Sequence, residues 1–313
     1  IDAAGRDVGR WEDILNVCHS ARLSALASLG RYEDIAAIAE TLWEQYPGNI
    51  GYFYMYVSAL SEIDQNAEAI EVMKAVLKEH PEQTSLKNSL AYALSVEGKQ
   101  LRYANALINQ AIEEEVQMMQ YANQGYVADG PQVLASWEVQ GGAYYENVSQ
   151  PTEPVAPQAN IAYMDTKGWI LYRRGKVNDA AAVFGALVPR VKAEEYESAE
   201  VWDHMGDAFY RAEQVDRAVQ AWTTALELAE EQDYPRMWDR LVLANAAEKI
   251  RAAEAGEIPP VMSFGEGVDD PLFPEEDDEP VEAGDTEETE TPVDDESPAM
   301  DTPTGDEASE TED

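Results

Sequence analysis

The sequence predicts an all-α chain of stacked helical hairpins, and three observations carry that prediction. First, Pro47 and Pro81 lie 34 residues apart and close two segments of one template, GRYEDIAAIAETLWEQYP (30–47) and DQNAEAIEVMKAVLKEHP (64–81). Each reads as a turn, a helix carrying small residues, and a proline that stops it. Second, DTKGWILYRRGKVNDAAAVF (165–184) and DHMGDAFYRAEQVDRAVQAW (203–222) place Gly168 and Gly206, Ala180 and Ala218, and Phe184 and Trp222 in matching positions. Third, residues 235–255 carry Trp238, Leu241, Val242 and Ile250 at helical spacing before Gly256, as a terminal cap would. A hairpin of this size cannot bury its apolar face alone, so neighbours must stack.

Taken in order, residues 10–29 read as one Ala/Leu-rich helix, with Cys18 expected among its core positions. Hairpins then begin near residues 16, 50, 84, 161 and 199, the third with one extra turn residue. Gly168 and Gly206 are expected where helices cross, since only a missing side chain lets backbones approach so closely. Ala180 and Ala218 are expected at the nearest points of the second helices, with Phe184 and Trp222 filling space beneath the following hairpin. Gly175 supplies a turn that Glu213 occupies in the next copy.

These positions resemble the tetratricopeptide repeat family, whose pattern sets an aromatic, Leu, Gly, an aromatic, then Ala, an aromatic, Ala and Pro at fixed offsets. Trp202, Met205, Gly206, Phe209, Ala218, Trp222 and Ala225 follow it, as do Gly168, Leu171, Gly175, Ala180 and Phe184. Phe53, Leu60, Ala69, Met73 and Pro81 match in an earlier copy. Gly30, Tyr32 and Pro47 match in the first, where Leu23 and Ile35 take the small-residue places. The resemblance implies about five hairpins in a right-handed superhelical solenoid, closed by a capping helix.

The expected organisation is an N-terminal helix with repeats one to three (1–118), an insert (119–160), repeats four and five with the cap (161–256), and an acidic tail (257–313). The insert holds Tyr121, Tyr126, Trp137, Tyr144 and Tyr145 but no Lys or Arg, and SWEVQGGAYYENV (136–148) reads as a β-hairpin turning at Gly141-Gly142. It is expected either to fold onto the concave face as a lid or to stand out as a surface excursion. The tail is Glu/Asp/Thr/Pro-rich and is expected to be disordered from 266 onward. VMSFGEGVDDPLF (261–273) keeps apolar anchors, and reads as a spacer or as a segment that docks on a partner or back onto the array.

Charge excludes some functions. The 313 residues hold 62 Asp and Glu against 21 Lys and Arg, a formal net charge of −41. Such a field repels phosphates and anionic lipid heads, so neither nucleic acid nor an anionic membrane is an expected partner. No run of 18 apolar residues is present, so no membrane-spanning helix is expected. A chain that opens on Ile1, without a basic–apolar leader pattern, is expected to be a processed or excised piece, which leaves its compartment open. One cysteine allows no intrachain disulfide. His19, His80 and His204 fall at unrelated repeat positions, so no metal site is expected, nor any cofactor. No phosphate loop, nucleophile elbow or zinc motif occurs, and no catalytic group is expected.

What remains is the concave wall, which the resemblance assigns to the first helix of each hairpin. Carried onto this chain, its inward positions include Tyr54, Asn88, Tyr92, Asp165, Trp169, Tyr172, Arg173, Asp203, Asp207, Tyr210 and Arg211. Rings give contact area at low entropy cost and amides hold a peptide backbone. An aromatic strip of Tyr92, Trp169, Tyr172 and Tyr210, flanked by Arg173 and Arg211, would suit an extended peptide with apolar anchors and an acidic group. The same rings could instead pack between repeats. The expected function is a non-catalytic scaffold for a protein or peptide, against two alternatives: a structural spacer in a larger assembly, such as one at the cell envelope, and the repeat segment of an enzyme whose catalytic domain lies upstream.

Overall fold

The structure, a computed structural model, describes residues 8–123 and 159–272. Among these residues it is all-α: α1 (Val8–Ser28), α2 (Tyr32–Gln45), α3 (Ile50–Glu62), α4 (Asn66–Glu79), α5 (Thr84–Val96), α6 (Leu101–Asn123), α7 (Ile161–Arg173), α8 (Val177–Ala193), α9 (Ala199–Arg211), α10 (Val215–Glu230) and α11 (Met237–Ala255). Each helix packs on its chain neighbour, and α7 packs on both α5 and α6, so the stack continues across the insert. The result is a solenoid of helical hairpins closed by α11, with hairpin positions that follow the tetratricopeptide pattern. The predicted β-hairpin at 136–148 lies outside the described residues.

Local chemistry sets the helix ends. Pro47 and Pro81 follow the last residues of α2 and α4. Asn49, Asn160 and Ser198 each accept a hydrogen bond from a first-turn N–H of the following helix, satisfying a donor that has no partner within the helix. Gly256 ends α11 with φ of 72°.

Packing follows the repeat positions. Leu23, Phe53, Leu60, Leu86, Leu90 and Leu94 are buried in the N-terminal half, and Phe184, Phe209, Trp222 and Ala225 in the C-terminal half. Fully burying one such large side chain contributes roughly 1.5–3 kcal/mol. Gly168 and Gly206 sit at crossings, as their spacing predicts. A Cβ on Gly206 would stand 2.3 Å from the Trp222 ring, and one on Gly168 would stand 2.6 Å from Phe184. The rings therefore seat on the glycines of their own hairpin, rather than beneath the next one.

Three expectations change. Cys18 is exposed, because Leu23 is the α1 position that α2 covers. On α11, Leu241 is 41% exposed, and the buried stripe is Val242, Ala246, Lys249 and Ala253. Residues 266–272, expected to be disordered, are placed against the array. Of the readings open for 261–273, docking back onto the array is the one seen, because Val261, Met262, Phe264 and Leu272 give that stretch apolar area to bury. Residues 273–313 lie outside the described residues.

Candidate functional site

The inward residues of the five hairpins fall into two groups with different surroundings. In the C-terminal group the wall is covered by the chain itself. Tyr172 and Arg173 are 0% and 5% exposed, and Trp169, Asp165, Asp203 and Asp207 are buried as well. The sequence pictures these side chains facing an open groove, whereas here residues 258–272 lie over it and leave a cavity of about 520 Å³ against Trp169, Asp203, Asp207 and Lys249.

Residues 261–265 of that segment bind as an extended peptide would, ahead of a turn at 266–267 in which Val268 N–H donates to the Gly265 carbonyl. Met262 N–H donates to Asp207 Oδ2 at 2.9 Å, and its carbonyl accepts from the Tyr172 hydroxyl. Gly265 N–H donates to the carbonyl of Arg173, the last residue of α7, at 2.7 Å. Glu266 N–H donates to the Gly98 carbonyl, in the turn after α5, at 2.9 Å. A helix C-terminus leaves carbonyls without donors, and the segment supplies them. Gly265 passes so close that a Cβ there would meet Leu101 at 2.4 Å and the Gly98 carbonyl oxygen at 2.8 Å. No other residue fits that gap.

Side chains anchor both ends of the segment. Phe264 lies with its ring 4.5 Å from the Arg211 guanidinium carbon and edge-on to Tyr172, with ring centres 5.7 Å apart. Arg211 grips Asp270 with two hydrogen bonds of 2.6 and 2.8 Å. Asp270 in turn accepts from the N–H groups of Phe264 and Leu272. Burial pushes the Asp270 carboxyl up, but Arg211 and these two amides prevail and hold it below the ordinary aspartate value. Arg173 donates to the Val96 carbonyl at 2.7 Å. Burial pushes the Tyr172 phenol well above its usual value, so it stays a donor.

Beneath the segment the wall is ionic. Lys249 of α11 bonds Asp203 at 2.8 and 2.9 Å and Asp207 at 2.8 Å. Burial pulls the Lys249 ammonium down, yet Asp207 and Asp203 keep it above its ordinary value, so it is charged. Asp207 also accepts from Trp222 Nε1 at 3.0 Å. Asp165 holds His204 at 3.0 Å. Burial would lower the imidazole, but Asp165, Glu200 and Asp203 raise it instead. The His204 ring stacks on Trp169 at 4.0 Å, and Trp169 stacks on Tyr172 at 4.8 Å. Tyr92 reaches this stack through His204, with ring centres 6.4 Å apart, whereas Tyr210 pairs with Trp222 instead, so the strip is shorter than predicted.

The N-terminal group, Tyr54, Asn88 and Tyr92, faces a cavity of about 530 Å³ whose far side is the start of α9 and of α11. Arg236 closes that cavity by bonding Glu62 of α3 at 3.0 Å and Ser58 at 3.2 Å. Glu62 also takes the Met237 N–H at 2.9 Å and Arg240 at 3.4 Å. Among the described residues no group of His, Cys, Asp and Glu could hold a metal ion, and no helix is long and apolar enough to cross a membrane.

Sequence reasoning missed Lys249, Glu200, Glu62, Asp270 and the role of Phe264. One signal was present for Lys249, a lysine on the stripe Val242–Ala246–Lys249–Ala253 of a strongly acidic chain. A charge on a buried stripe demands a buried partner.

No family model matches the chain, and no curated protein matches it. Solved structures do. TTC0263, described as a thermophilic TPR protein of Thermus thermophilus, is 15% identical over 72% of this chain and 96% of its own, with a TM-score of 0.44. MamA of MSR-1 is 12% identical over 69% and 98%, with a TM-score of 0.37. The APC/C hetero-tetramer Cut9–Hcn1 is 14% identical over 67% and 39%, with a TM-score of 0.32. The hairpin geometry described above, rather than these scores, carries the fold.

Proposed function

We propose that this chain is a non-catalytic scaffold that holds an extended peptide or a segment of a partner protein against the wall formed by α7 and α9, and that residues 258–272 occupy that site in cis. One observation carries the reading: the segment is held by main-chain hydrogen bonds to fixed helix groups, one aromatic anchor and one carboxylate on an arginine. Main-chain bonds give affinity without reading sequence, while Phe264 and Asp270 supply the selectivity. A partner with the same arrangement, an aromatic anchor followed within about two turns of chain by an acidic group, would compete for Tyr172 and Arg211. The cis segment sets the threshold, because it is tethered and acts at a high effective concentration.

The test uses a fluorescein-labelled peptide of residues 258–272 and the full chain. Anisotropy should rise only weakly with the wild type, since the site is filled. The double substitution Phe264→Ala and Asp270→Asn empties the site and should strengthen binding at least about tenfold. Adding Arg211→Ala to that variant should remove the gain. Equal, weak binding by all three chains would refute the proposal.

A further inference from the structure

The 530 Å³ cavity between α3, α5 and the starts of α9 and α11 has none of residues 258–272 in its lining and meets their groove only at Trp238, which lines both. Its lining combines three aromatic residues, Tyr54, Tyr92 and Trp238, with a set of acceptors and one buried donor lacking a partner, Trp238 Nε1. Of its four carboxylates, Glu197 is exposed, Glu62 is fully engaged by Arg236, Arg240 and the Met237 amide, and Asp239 accepts the Arg236 N–H. Glu200 is different: Tyr92 donates to its Oε1, and its Oε2 accepts nothing among the described residues. Asn88 Oδ1 is buried with no donor. A buried acceptor left without a donor is costly, so Asn88 Oδ1 favours a ligand that brings N–H groups, and Glu200 adds a carboxylate to the same lining. The one cation among the described lining residues, Arg236, is already neutralised by Glu62. Aromatic faces beside an available carboxylate are the surroundings that stabilise an alkylammonium or guanidinium.

We propose that this cavity is a receptor site for an organic cation, an alkyl guanidinium or ammonium group, with Glu200 as its counter-ion, Asn88 as a second acceptor and the rings of Tyr54, Tyr92 and Trp238 as its walls. The net charge of −41 draws such cations toward the chain before any contact forms. The cation could be a free amine or the side chain of a basic peptide; both present the same chemistry to Glu200.

Burial raises the Glu200 carboxyl to about 7, with His204 and Arg236 pulling it down, Asp165 pushing it up, and the Tyr92 hydrogen bond favouring the ionised form. A cation binds the ionised form, so affinity should climb as pH rises from 6 to 8.

Calorimetry on the full chain at pH 8 tests the site with agmatine, with the peptide acetyl-Ala-Arg-Ala-amide, and with the same peptide carrying neutral citrulline. The arginine peptide or agmatine should bind, the citrulline peptide at least about tenfold more weakly, and the stronger of the two cations identifies the source. Glu200→Gln should weaken cation binding about tenfold and flatten its pH dependence. Ser89→Leu, which fills the cavity from α5 and leaves Glu200 in place, should also block binding. Phe264→Ala with Asp270→Asn should leave it unchanged, which separates this site from the peptide groove. Citrulline binding as well as arginine, no heat from either cation at millimolar concentration, or full binding by a folded Glu200→Gln chain would each overturn the proposal.

Discussion

The N-terminal half of the array, α1–α6, and the C-terminal half, α7–α11, treat their inward residues in opposite ways. In the first, the buried side chains are almost all apolar, the buried charges among the described residues are Lys87 and the Glu62 carboxylate, and the concave face opens on a cavity. In the second, Asp165, Arg173, Asp203, His204, Asp207 and Lys249 are all buried, and the chain covers them with its own segment. The difference follows from water. A wall that stays wet can display unpaired polar groups, whereas a wall that is covered must pair each charge internally. The ionic core of the second half is therefore the consequence of filling its groove.

The sharpest way to break this comparison is to remove one charge from each half. Lys249→Met leaves Asp203 and Asp207 buried together without a cation and should cost about 3–5 kcal/mol in a urea melt. Lys87→Met should cost less, about 1 kcal/mol, because its partner Glu114 keeps 30% of its side chain accessible and can rehydrate. Equal losses would mean that coverage does not set the energetics.

Gly206→Leu is next in size. Its side chain must displace the Trp222 ring and should cost about 1–3 kcal/mol. A melting temperature like that of the wild type would place the crossing elsewhere.

Phe264→Ala should lower global stability little while releasing the segment. Limited proteolysis should then cut near 258–272 much faster, with the helices remaining intact. The smallest effect is on pH. Asp270 is held below its ordinary value, so its contribution is present above the unfolded aspartate value near 4 and is lost as pH falls through the lower folded one. Segment release should therefore grow in acid below about pH 4, and Asp270→Asn should weaken docking at neutral pH and flatten that acid dependence. An unchanged acid profile in Asp270→Asn would assign the effect to another group.

Much of the array was legible because its rules are local. The period, the stopping prolines and the Gly–aromatic pairs of 168 with 184 and 206 with 222 act within one hairpin. The filled groove was harder to read, because Phe264 and Asp270 meet Arg211 across more than fifty residues and no short-range pattern ties them. The aromatic strip was legible as composition but not as exposure: whether Tyr172 faces solvent depends on a segment some ninety residues away. Glu200 gave no signal, since a first-turn glutamate is what any helix start prefers.

Amide hydrogen exchange at Gly265 and Glu266 tests the central claim most directly, alone and with excess unlabelled 258–272 peptide. Their N–H groups bond Arg173 and Gly98, so in the wild type alone both should exchange slowly. The added peptide should compete for the wall and speed both amides, while the α7 and α9 amides stay protected. Fast exchange at both positions without peptide, or slow exchange that persists in Phe264→Ala with Asp270→Asn, would contradict the account.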